Sequence, residues 1–94
     1  MTKQEHLLTC LSEECAEVSK VVSKMLRFGV DDQSPHLDKD NLHLLFDELN
    51  DLFAVVEMLH DVDIHWRIDN GAVIDKKAKV EKWMRHAKSR GTLE

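Results

Sequence analysis

The sequence predicts an all-α protein whose amphipathic helices form a bundle completed by oligomerisation. Three observations carry this. Apolar residues recur at the helical period in three segments, residues that start and stop helices bracket those segments, and 94 residues are too few to enclose all three apolar faces in one chain.

Thr2 and Glu5 have the spacing of a capping box, so the first helix starts there and runs to about Phe28, where Gly29 supplies the stop. At about 100° per residue, Leu7, Leu11, Val18, Val22 and Met25 fall on one stripe, and Glu14 and Glu17 line its border. Gly29 to Asp40 is a polar connection, too long for a tight helical hairpin, in which Ser34-Pro35 can open a short helical turn. Such a loop either closes over a substrate or serves as a plain surface connector.

Asp40 or Asn41 caps the second helix, which runs to about His60. Its stripe is Leu45, Leu49, Leu52, Val56 and Leu59, with Glu48 and Asp51 along the border. The stretch Asp61 to Gly71 fits no motif. Its aspartates suggest an EF-hand loop, but counting from Asp61 the sixth residue is Trp66 and the twelfth is Ala72, where the loop needs Gly and Glu. Trp66 reads better as a packing or interface anchor than as a platform for a base. A last helix is expected from about Ala72 or Asp75 to about Lys88, with Gly91 beyond its end. It carries Val73, Val80, Trp83, Met84 and Ala87 on one side. Lys76, Lys77, Lys79 and Lys82 form its solvated face, and one or two of them can reach phosphate across a subunit boundary.

Thirteen basic and eighteen acidic side chains give a formal net charge of −5, which argues against nucleic acid as the principal partner. No apolar run approaches a transmembrane span, and the first residues do not form a signal peptide, so a cytoplasmic location is expected. Cys10 and Cys15 lie on one helix and point in different directions; they are read as small core fillers in a reducing compartment.

The chemistry is concentrated in two related stretches. Glu13-Glu14-Cys15-Ala16-Glu17 is echoed by Asp47-Glu48-Leu49-Asn50-Asp51, and both end in aliphatic runs. If the two stripes pack together, Glu14, Glu17, Glu48 and Asp51 converge at one rim of the core. Four anions in a partly desolvated place raise one another's pKa unless a cation lies between them. Carboxylate oxygens on stiff helices suit Mg²⁺, with Mn²⁺ as a substitute, and a substrate's phosphates complete the shell. Each pair taken alone is an ordinary solvated helix edge; it is the repetition at the apolar border that points to a site.

At these residues the chain resembles the MazG-like all-α nucleoside triphosphate pyrophosphohydrolases, in their short phage and mobile-element form. The motif E-E-x-x-E is present as Glu13, Glu14 and Glu17, and E-x-x-D as Glu48 and Asp51. Lys24 to Gly29 and Lys77 to Trp83 are similar as well, so the resemblance covers most of the chain. It implies cleavage of a nucleoside triphosphate, with deoxynucleotides expected, between the α and β phosphates to a monophosphate and pyrophosphate. It also implies a homodimer or homotetramer.

No Gly-rich phosphate loop and no setting for a nucleophilic Ser or Cys is present, so the attacking group is expected to be a metal-bound water. Glu14, Glu17, Glu48 and Asp51 are the expected metal ligands. Glu13 and Glu14 are the expected catalytic carboxylates, Glu13 as an outer base, a water-orienting group or a surface acid. Lys24 returns to the face of Glu17 two turns on and is the first candidate to bind substrate phosphate, with Arg27 second. Asn50 stands off the carboxylate edge. Two other functions compete: a non-catalytic helical protein-protein interaction module, and a di-iron carboxylate protein built on Glu57-x-x-His60.

Overall fold

A computed structural model describes residues 1–94 as three α-helices and one short 3₁₀ turn, with no strand. Helix α1 spans Lys3–Phe28, α2 spans Asn41–Met58 and runs into the 3₁₀ turn Leu59–Val62, and α3 spans Asn70–Ser89. The first cap is the expected one, with Thr2 Oγ1 accepting from the Glu5 N–H at 3.1 Å. At the other end Gly29 adopts φ 107°, a conformation that disfavours any side chain, and its N–H donates to Met25 O.

The connection between α1 and α2 is pinned at both ends. Asn41 N–H donates to Asp32 O, Leu42 N–H donates to Val30 O, and Gln33 pairs with Asp40 in an isolated antiparallel bridge. Ser34-Pro35 opens a single turn closed by Leu37 N–H on Ser34 O. Of the two candidate caps, Asp40 performs the task through the His43 N–H. Asn41 does something else: its side chain is almost fully buried and donates to Gly29 O at 2.9 Å, tying the start of α2 to the end of α1.

α1 and α2 pack antiparallel, and Gln4 Nε2 closes the far end by donating to Val62 O. The interior differs from the expected stripes in detail. On α1, Leu7 and Val21 are the buried residues, flanked by half-buried Cys10, Leu11, Glu14, Val18 and Met25, while Val22 is 40% exposed. On α2 the inward positions are Leu45, Glu48, Leu52, Val55 and Val56, running on to buried Leu59, while Leu49 is 44% exposed. The packed face is therefore turned toward Val21 and Val55, and Val22 and Leu49 fall on its margin. Cys15 is exposed, so only Cys10 serves as a core filler.

α3 begins earlier than expected because Asp69 caps it, accepting from the Ala72 N–H at 3.0 Å. It makes no packing contact with α1 or α2, and all of its residues except Ala87 are exposed. The radius of gyration is 16.9 Å, against about 12 Å for a compact domain of this length. No helix is long and apolar enough to cross a membrane.

Candidate metal centre

The antiparallel packing of α1 on α2 sets the middle of one helix against the middle of the other. Glu14, on the packed face of α1, meets Glu48 on the packed face of α2, and Asp51 stands one turn further along α2 at the solvent margin. One carboxylate oxygen from each lies within 4.8 Å of the other two. Glu14 and Glu48 are half-buried and Asp51 is exposed, so the group sits at the rim of the core with one open side.

The electrostatics are those of crowded anions. Burial raises the Glu48 carboxyl above the ordinary glutamate range, and the charges of Asp51, Glu17, Glu14 and Asp47 push it further in the same direction. None of the molecule's ion pairs involves Glu14, Glu17, Glu48 or Asp51. Lys39 is engaged with Asp47, the neighbour of Glu48 in sequence, at 2.7 Å, and that bond raises the lysine's own pKa. An all-oxygen donor set drawn from two rigid helices, with no cation of its own, fits a hard divalent ion.

Of the expected site residues, three are brought together. Glu17 is exposed and outside the trio, although close enough to bear on Glu48. Glu13 is exposed on α1, about 100° round the helix from Glu14, and is outside the trio. Lys24 is half-buried, forms no ion pair, and lies about 10 Å beyond Glu17 along the same side of α1. Arg27 is at the end of the helix with its guanidinium 5.0 Å from the centre of the Phe28 ring, away from the carboxylates. Asn50 is exposed.

Two features were not read from the sequence. One is the Lys39–Asp47 ion pair beside Glu48, whose eight-residue separation across a helix start gives no local signal. The other is a group formed by His60, His65 and Asp63: the two Nδ1 atoms are 3.4 Å apart, and His65 Nε2 lies 3.6 Å from Asp63 Oδ1. Asp63 takes a left-handed conformation, φ 62°, that turns the chain back along α2. Next to this turn Trp66, Arg67 and Ile68 form an open cleft with Phe53, Val56, Glu57 and His60. Glu57 is exposed and His60 half-buried, and neither belongs to the carboxylate trio.

Scans against family models, curated proteins and solved structures find no match to this chain.

Proposed function

We propose that the chain is a cytoplasmic, Mg²⁺-dependent nucleoside triphosphate pyrophosphohydrolase of MazG-like type, acting as a homodimer or homotetramer on a triphosphate, with deoxynucleotides favoured. The observation that carries this is the convergence of Glu14, Glu48 and Asp51 to within 4.8 Å from two helices. The elevated pKa of Glu48 supports it, because a site built for a cation holds its carboxylates under mutual repulsion when the cation is away.

In this reading Glu14, Glu48 and Asp51 hold the metal, and Glu17, exposed one turn along α1, extends the acidic edge toward the open side. When bound, Mg²⁺ supplies neutralisation of the phosphate charge and a lowered pKa for the water that attacks. Lys24, unpaired and half-buried on the same side of α1, binds a phosphate oxygen of the substrate. Glu13 faces solvent and acts at most through water on the outer side of the edge.

The test is pyrophosphate release from a panel of ribo- and deoxyribonucleoside triphosphates with Mg²⁺, with Mn²⁺ and with chelator. Metal-dependent release that falls by about a hundredfold or more in Glu14→Gln and in Asp51→Asn, with helical content unchanged, is the expected result. Near wild-type release in either variant removes that carboxylate from the site. No release across the panel from folded, metal-loaded protein favours the non-catalytic interaction module.

A further inference from the structure

The reversal after α2 brings two imidazoles together. Asp63, in its left-handed conformation, ends the 3₁₀ turn, and Ile64 N–H donates to Leu59 O at 3.1 Å across the bend. His60 and His65 stand on either side of it. The bend is also anchored from α1, by Gln4 Nε2 donating to Val62 O. The two rings are therefore carried on backbone that is already fixed, and an ion between them has only side chains left to order.

Their separation is that of two ligands on one ion. The Nδ1 atoms are 3.4 Å apart and the ring centroids 5.3 Å, with the ring planes inclined at 56°. Two imidazoles held tetrahedrally, with zinc–nitrogen distances of about 2.05 Å, have nitrogens about 3.35 Å apart and centroids about 5.2 Å apart. A head-on N–H···N contact at the observed nitrogen spacing would put the centroids about 5.7 Å apart, and 3.4 Å is long for such a bond. The rings are instead bent off the line that joins their nitrogens. Asp63 supports the same arrangement from behind, with its Oδ1 3.6 Å from His65 Nε2. A carboxylate at that nitrogen favours the proton on Nε2 and leaves the Nδ1 lone pair free for a metal.

We propose that His60 and His65 are the protein ligands of a transition-metal site, for Zn²⁺ by this geometry, bound through both Nδ1 atoms. Asp63 orients His65, and the remaining coordination positions are left to water or to a donor in the neighbouring cleft, which His60 lines beside Trp66 and Arg67. Bound metal clasps the Asp63 reversal shut. The site is separate from the carboxylate trio in chemistry, because imidazole nitrogen suits zinc, copper and nickel while an all-oxygen set suits Mg²⁺. It is separate in place too: His60 lies nine residues beyond Asp51, about 13 Å along the axis of α2. The assignment therefore stands independently of the hydrolase reading.

The experiment is a Zn²⁺ titration of the full chain with excess Mg²⁺ present, followed by calorimetry and by NMR of the histidine ring nitrogens, for wild type, His65→Ala and Asp63→Asn. His65 is exposed and asparagine tolerates the left-handed backbone at 63, so both variants keep the hairpin, which circular dichroism checks. The expected result is uptake of one Zn²⁺ per chain that shifts the ring nitrogens of His60 and His65 and leaves the other four histidines unmoved. Affinity should fall by about a hundredfold or more in His65→Ala and by about tenfold in Asp63→Asn. Undiminished affinity in His65→Ala overturns the proposal. So does uptake that leaves both rings unmoved, which would put the ion on the cysteines or the carboxylates, and so does the lack of any uptake at about a hundred micromolar Zn²⁺. Equal affinity in Asp63→Asn overturns the orienting role of Asp63.

Discussion

Replacing Glu48 with Gln should stabilise the metal-free protein. Two unit charges 4.8 Å apart repel by roughly 0.9 kcal/mol with full water screening and roughly 3.5 kcal/mol at an effective dielectric of 20. Glu48 faces two such neighbours, but Asp51 is exposed and Glu14 only half-buried, so the lower figure governs. The expected gain is about 1–2 kcal/mol, or about 5–10 °C in Tm for a chain of this size. It is measured by thermal melts at neutral pH in chelator, at equal chain concentration because association also contributes. The sign with pH follows from the raised pKa of Glu48. Folded wild type binds this proton more tightly than the unfolded chain, so wild type loses stability as pH rises through the raised value and regains it on acidification. The advantage of the variant therefore holds at neutral pH and shrinks as pH falls through that value. Saturating Mg²⁺ should stabilise wild type by about 2.7 kcal/mol at a hundred times its Kd and the variant by much less, closing or reversing the difference. A variant equal to or less stable than wild type in chelator would refute the account of Glu48 as a strained anion.

Lys24→Ala should raise KM for the triphosphate about tenfold or more, the loss of one charge-assisted hydrogen bond, while leaving the Mg²⁺-dependent rise in Tm intact; steady-state kinetics beside thermal melts separate the two. Asn41→Ala removes a buried donor to Gly29 O and should cost about 1–3 kcal/mol in chemical denaturation. Gly29→Ala should cost roughly the same, because φ 107° strains any side chain there and the new Cβ would lie 3.2 Å from Asp31 Oδ1.

Much of this was legible where the signal is local. Thr2 three residues before Glu5 and Gly29 after Phe28 bound α1 by cap chemistry that needs no tertiary context. The carboxylate trio was legible because each acid lies on the border of an aliphatic stripe, and the packing of two stripes brings the borders together. What failed was orientation finer than one residue. Val21 and Val22 are both valines, and only the partner helix decides which one is buried. The expected start of α3 at Ala72 or Asp75 falls late because the cap is Asp69, one of several aspartates in that stretch. Trp66 and the His60–His65 contact depend on the reversal at Asp63, and a left-handed aspartate has no dependable sequence signature.

The two fastenings of the hairpin differ in the length of chain each one closes. Asn41 reaches Gly29 across 12 residues, whereas Gln4 reaches Val62 across 58. By loop-closure entropy the second costs about 1.4 kcal/mol more to form. The hairpin should therefore zip from the connection toward the termini, with the Gln4 end last to form and first to fray. In hydrogen exchange the amides near Val62 and in the first turns of α1 should open well before those around Val21. The carboxylates lie midway along that gradient.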